Sequence, residues 1–199
     1  NGKLYDVQDR SLPQDVQRGQ TYNERMETTP EIVATARQIA LTYMRGTRKG
    51  NPRPAWAHPE DVVGLVRSLP GLRPDMGTQC FLEAVAWLHD VLEDTEATEA
   101  DLKAAGIPDH VVMGVKALTK EDWMTREWYF RGLDGAPELV RIVKVCDRIA
   151  NLTEGRSTLG ASWWKKYTHE TTHFIVPLTD DMGEPWKSWL INKLAEATA

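Results

Sequence analysis

Phe81-Leu82-Glu83-Ala84-Val85-Ala86-Trp87-Leu88-His89-Asp90-Val91-Leu92-Glu93-Asp94-Thr95 is the stretch on which the fold turns. Its apolar run carries only Glu83 as a charge before His89 and has no period-two alternation, which predicts a helix from about Thr78 through His89. The run ends in the pair His89-Asp90, and two more carboxylates, Glu93 and Asp94, follow one turn later. Neighbouring residues on an α-helix point about 100° apart. His89 and Asp90 therefore serve a single ion only near a helix end or along a wide face. Glu93 and Asp94 are close enough in sequence to lie over the same place.

Two distant residues complete a tetrad. His58 opens His58-Pro59-Glu60-Asp61, the start of a helix that carries Val62, Val63, Leu65, Val66 and Leu69 and stops at Pro70-Gly71. Asp147 stands in Leu139-Val140-Arg141-Ile142-Val143-Lys144-Val145-Cys146-Asp147-Arg148-Ile149-Ala150-Asn151-Leu152, a helix with a strong apolar pattern. A carboxylate buried there is costly unless it is paired or binds a cation. Arg148 beside it points elsewhere on the helix, so a metal ion is the expected partner. His58, His89, Asp90 and Asp147 together offer two imidazoles and two carboxylates to one divalent cation, with positions left for water and substrate. Such mixed ligation suits a first-row metal such as manganese or iron.

Helical signals extend outward on both sides. Thr29-Pro30-Glu31 begins the first regular element, with Thr29 as the cap and Pro30 in the first turn. Ile32, Val33, Ala36, Ile39, Ala40 and Tyr43 follow at helical spacing, and Gly46 with Gly50-Asn51-Pro52-Arg53-Pro54 breaks the chain into a loop. Thr98-Glu99-Ala100-Asp101 starts a short helix after an acidic connector, and Pro108 starts another bearing Val111, Val112, Val115 and Leu118. Further helices are expected over residues 123–131, 137–152, 163–176 and 184–197. The expected fold is all-α, a single helical bundle of about seven to nine helices over residues 30–199. Residues 1–29 are polar and are expected to form an N-terminal extension, partly disordered. There is no internal repeat and no glycine-rich phosphate loop. Trp163, Trp164, Trp186 and Trp189 predict a C-terminal aromatic cluster, with packing rather than ligand stacking as its role.

Composition narrows the function classes. The 199 residues are 41% hydrophobic and 27% charged, which fits one soluble globular domain. Mean hydropathy is -0.46, and no stretch approaches the roughly 20 apolar residues of a membrane span. No secretory signal is recognisable, and Cys80 and Cys146 lie in apolar helical patterns, so buried free thiols in the cytoplasm are expected. A net charge of -5 argues against a nucleic-acid polymer as partner. Arg45, Arg48, Lys49 and Arg53 nevertheless cluster just before His58, a local basic segment that suits a small phosphorylated substrate.

The order H…HD…D resembles the signature of the HD phosphohydrolase superfamily. Arg48-Lys49-Gly50 ahead of His58-Pro59, then His89-Asp90-Val91-Leu92-Glu93-Asp94-Thr95, then Val143-Lys144-Val145-Cys146-Asp147-Arg148-Ile149-Ala150-Asn151-Leu152 resemble, more narrowly, the hydrolase domain of the RelA/SpoT family. Leu118-Thr119-Lys120 and Glu170-Thr171 with Pro177-Leu178 look like further landmarks, so the resemblance covers about residues 30 to 180. The stand-alone small alarmone hydrolases, which remove the 3′-pyrophosphate from ppGpp and pppGpp with manganese, are the nearest pattern. The resemblance implies His58, His89, Asp90 and Asp147 as metal ligands and Glu93 with Asp94 as the pair that orients or deprotonates water. It implies Arg48 against the guanine base, Lys49 on a phosphate, and Asn151 beside the ribose and phosphates. Ala55 stands where the family usually has an aromatic residue and Ile175 near where it has a tyrosine, so the nucleotide pocket is expected to differ. The alternatives are hydrolysis of ppApp, of the NADPH 2′-phosphate or of a deoxynucleotide, and a nucleotide sensor without catalysis.

Overall fold

The computed structural model describes residues 28–48, 51–70, 75–158 and 160–199. The described residues are helical, with no strand beyond an isolated bridge between Thr47 and Pro54. The α-helices are α1 (Pro30–Tyr43), α2 (Ala57–Arg67), α3 (Met76–Leu88), α4 (Val91–Asp94), α5 (Glu99–Ala104), α6 (Asp109–Leu118), α7 (Arg126–Asp134), α8 (Glu138–Thr158), α9 (Ala161–Glu170) and α10 (Trp186–Thr198). Since α4 is a single turn, the architecture agrees with the all-α bundle expected from the sequence. None of these helices is long and apolar enough to cross a membrane.

The apolar run quoted first becomes the centre of the bundle. Every residue of α3 from Cys80 to Leu88 is buried, and α1, α2, α6 and α8 pack around it. A helix covered on all sides needs no polar face. Its one carboxylate, Glu83, accepts from Arg67 Nη2 at 2.6 Å and Gln79 Nε2 at 2.8 Å, which offsets the cost of its burial. Cys80 and Cys146 are buried free thiols.

At the α3–α6 contact the helices approach so closely that only glycine fits without adjustment. A Cβ on Gly114 would stand 3.1 Å from Val85 Cγ2 and 3.2 Å from Phe81 Cζ. Val85 and Phe81 are at most 1% exposed and have no room to retreat. Gly114→Ala gains about 1 kcal/mol of helix propensity but incurs an overpacking cost of about 1–3 kcal/mol. A lowered thermal midpoint is the expected result. A midpoint at or above that of the wild type would show slack between these helices.

Several helix ends follow local chemistry. Asp75 accepts from Thr78 N, Thr125 accepts from Trp128 N, and Thr98 with Asp101 forms a capping box. Thr29 occupies the cap position of α1 without a side-chain cap hydrogen bond. Thr28, just before it, is buried with Oγ1 2.7 Å from His110 Nε2. The expected helix over 123–131 begins instead at Arg126, where the Thr125 cap sets its start. The segment expected over 163–176 is not a single α-helix. α9 gives way to a π-helical turn, Thr171–Ile175, and then a 3₁₀ turn, Val176–Thr179. Pro177 has no N–H to donate and its ring crowds the preceding turn, which prevents α-helical continuation.

Candidate active site

The chain leaves α3 at Leu88 and re-enters helix at Val91, so His89 and Asp90 occupy the break. That break removes the 100° divergence of adjacent helical residues. His89 Nδ1 lies 2.8 Å from Ala86 O, which fixes the proton on Nδ1 and turns Nε2 inward. α2 delivers His58 from one side and α8 delivers Asp147 from another. His89 Nε2 is 3.3 Å from His58 Nε2 and 3.2 Å from Asp90 Oδ1. Asp147 Oδ1 stands 3.0 Å from His58 Nε2 and 3.6 Å from His89 Nε2, while Asp90 Oδ2 is 3.7 Å from His58 Nε2.

These separations decide what the cluster is suited to hold. Ligand atoms bound at about 2.0–2.2 Å to one cation stand roughly 3.0–3.5 Å from each other. Two imidazole nitrogens facing each other across 3.3 Å beside carboxylates match that requirement. His58, His89 and Asp90 each place a ligand atom within 4.8 Å of the others, an arrangement consistent with a metal site. The charges agree with it. Burial works against the imidazolium of His89, but Asp90 and Asp147 outweigh burial and raise its pKa to about 10. Burial likewise opposes ionised Asp90, yet His89 and His58 hold its pKa down to about 2. Without a cation the site therefore retains a proton that metal binding displaces.

Asp147 needs a correction to the sequence expectation. Its burial alone does not call for a metal, because Lys144 Nζ donates to Oδ2 at 2.9 Å from one turn earlier on α8. Burial pushes the Asp147 pKa up, but Lys144, His58 and His89 hold the carboxyl well below its usual range. The facing imidazoles, not the buried carboxylate, carry the case for a cation. Arg148 points elsewhere as expected and lies over the Tyr167 ring, 3.7 Å from its centroid.

Asn151 connects this centre to a cavity. Its Nδ2 donates to Asp147 Oδ1, and its Oδ1 accepts from Arg48 Nη2 at 2.7 Å. Arg48 Nε also pairs with Glu154 Oε2 at 2.8 Å. Arg48 sits on a loop closed by Ala55 N donating to Gly46 O at 3.0 Å. Gly46, at φ 84°, provides the left-handed turn into that loop. The cavity has a volume of about 510 Å³, and Arg48, Asp94 and Asn151 all line it.

The predicted acidic pair is divided between two settings. Asp94 faces the cavity, and burial together with the charges of Asp90 and Glu93 pushes its pKa up to about 6. Glu93 Oε2 accepts from Lys120 N at 2.9 Å, so the Leu118-Thr119-Lys120 segment anchors it. Arg53, expected among the phosphate-binding cations, instead makes a two-pronged pair with Asp61 at 2.7 and 3.0 Å. Lys49 lies outside the described residues. Of the two departures at the base end, Ala55 lines the cavity, whereas Ile175 is fully buried in the core.

Tyr43, Trp163 and Tyr167 also line the cavity, and sequence patterning did not place them there. Trp164, Trp186 and Trp189 pack against the core as expected. Trp163 departs from that expectation. It stacks on Tyr167 with ring centroids 4.2 Å apart and an interplanar angle of 19°. The i, i+4 spacing of the two aromatics was the available signal.

No family model matches the chain. It is 26% identical to a probable guanosine-3′,5′-bis(diphosphate) 3′-pyrophosphohydrolase of Synechocystis sp., over 96% of this chain and 26% of that protein. It is 27% identical to the GTP pyrophosphokinase rsh of Brucella melitensis biotype 1, over 84% of this chain and 22% of that protein. The chain thus spans about a quarter of the length of these curated relatives. A solved structure, that of a metazoan ortholog of SpoT that hydrolyses ppGpp, superposes with a TM-score of 0.65 at 20% identity. The match covers 83% of this chain and 93% of that one, and establishes the fold. The chain is thus similar at low identity to SpoT/Rsh-type proteins, and it shares the all-helical fold of the metazoan SpoT ortholog.

Proposed function

We propose that the protein hydrolyses the 3′-pyrophosphate of ppGpp and pppGpp, giving GDP or GTP and pyrophosphate. The observation that carries this reading is the convergence of His58 and His89 Nε2, 3.3 Å apart, with the carboxylates of Asp90 and Asp147. Those four side chains would hold a divalent cation, which manganese fits among the first-row metals. When bound, the cation supplies Lewis acidity and neutralises charge on the phosphate under attack.

The chain's own residues would do the rest. Asp94, at the cavity wall with a pKa pushed up to about 6, accepts the proton of the attacking water, a task that favours a base with a pKa near the working pH. Glu93, anchored by the Lys120 N–H, orients that water beside it. Water oxygen bonds to the phosphorus as its proton passes to Asp94, the bond from phosphorus to the ribose 3′-oxygen breaks, and the 3′-oxygen takes up a proton from solvent, to which Asp94 then releases its own. Arg48 has both edges engaged by Asn151 and Glu154, which leaves the face of its guanidinium for a nucleobase. Asn151, bonded to Asp147 and Arg48 at once, keeps the base end and the metal end in register. Lys49 is the remaining phosphate contact.

A second reading, another nucleotide as substrate, draws support from Ala55, whose small side chain at the cavity wall alters the base end. A panel of ppGpp, pppGpp, ppApp, NADPH and deoxynucleoside triphosphates, assayed with the manganese-loaded protein, separates the two. Release of pyrophosphate from ppGpp and pppGpp is the expected result. Turnover of NADPH or deoxynucleotides with ppGpp inert would transfer the assignment to the second reading. Binding of ppGpp without any pyrophosphate release would make the protein a sensor.

A further inference from the structure

We infer that the Trp163 indole, braced from behind by Tyr167 and Arg148, is the stacking platform for the purine base of the substrate, a nucleoside polyphosphate. The inference rests on the reading of the cavity as a nucleotide site and adds the element that grips the base.

Three layers lie one on another at this wall. Arg148, 4% exposed, is the lowest, with its guanidinium carbon 3.7 Å from the centroid of the Tyr167 ring. Tyr167 is the middle layer, and Trp163 lies 4.2 Å beyond it at an angle of 19°. Arg148 is held in turn by Tyr167 O at 3.5 Å and by Glu170 Oε2 at 3.9 Å. The stack is therefore fixed before any ligand arrives, which lowers the ordering cost of binding.

Trp164 and Tyr167 pack against the core, and Trp163 lies outside them, 4.2 Å from the Tyr167 ring and 6.3 Å from that of Trp164. It lines the cavity together with Arg48, at the base end, and with Asp94 and Asn151, which lead to the metal end. A partly buried indole in a cavity that charged side chains also line suits a ligand that joins a flat aromatic ring to phosphates. Ala55 also lines the cavity, and its small side chain leaves space there. Stacking engages the face of a base and tolerates its identity, so adenine and guanine nucleotides share the platform.

The test compares Trp163→Ala and Trp163→Phe with the wild type, manganese-loaded, on ppGpp and ppApp. Trp163→Ala should raise KM about 10- to 100-fold for both substrates, with a much smaller change in kcat. Trp163→Phe, which retains a ring, should recover most of the loss. An unchanged KM in Trp163→Ala would overturn the platform while leaving the hydrolase reading intact. If the wild type turns over neither substrate, binding of GDP and ADP followed by tryptophan fluorescence decides. Quenching that disappears in Trp163→Phe upholds the platform without the hydrolase reading, and quenching of equal amplitude in both proteins overturns it.

Discussion

Asp147→Ala is expected to abolish cation binding and to lower turnover by orders of magnitude. The carboxylate sits 3.0 Å from His58 Nε2 and 3.6 Å from His89 Nε2, so its removal opens one side of the proposed coordination shell. The same substitution has a second, separable effect. Lys144 is mostly buried and its ammonium donates to Asp147 Oδ2 at 2.9 Å. Removing one partner of a buried pair leaves an uncompensated charge, at a cost of about 3–5 kcal/mol. The metal-free variant should therefore unfold at lower denaturant concentration than the metal-free wild type. Adding Lys144→Met should recover much of that stability and none of the cation binding. Elemental analysis and equilibrium denaturation measure the two effects independently. Full manganese occupancy in Asp147→Ala would remove Asp147 from the ligand set, and unchanged stability would show that Lys144 has another neutralising partner.

The same residue illustrates what the sequence makes legible. His58, His89, Asp90 and Asp147 stand out because polar side chains on apolar helices must find partners, and the fold brings all four together. The requirement that His89-Asp90 sit at a helix end also follows from helix geometry, and the chain meets it between Leu88 and Val91. The expected reason for burying Asp147 failed for a local cause. Lys144 lies three residues earlier on the same helix face and satisfies the carboxylate directly. Arg53 pairs with Asp61, which α2 supplies, a tertiary partner that the sequence does not display. Trp163 and Tyr167 were recognisable as aromatics but not as a cavity wall. Their position depends on how α9 packs on α8 and on the break before Pro177, neither of which a period-3.6 pattern encodes.

Asp94→Asn should make the protein a poorer enzyme and a more stable one. As the proposed proton acceptor, Asp94 is expected to contribute roughly 10²- to 10⁴-fold to turnover, and asparagine retains its shape without its basicity. Burial and the nearby charges of Asp90 and Glu93 raise its pKa from 3.8 to about 6 in the folded protein. A raised carboxyl pKa means that ionisation is disfavoured by the fold, so the cost grows as pH rises from about 4 to about 6 and is complete above that. Asp94→Asn removes the cost. In the metal-free protein its thermal midpoint should exceed that of the wild type at pH 8, and the two midpoints should converge as pH falls towards 4. A cation held beside Asp90 offsets the same repulsion, so the advantage at pH 8 should shrink once metal is bound. Equal midpoints at pH 8 without metal would mean that Asp94 is not strained by its neighbours. Near-wild-type turnover would move the proton to Glu93. The combination of lost rate and gained stability would place Asp94 where function and folding make opposite demands on one charge.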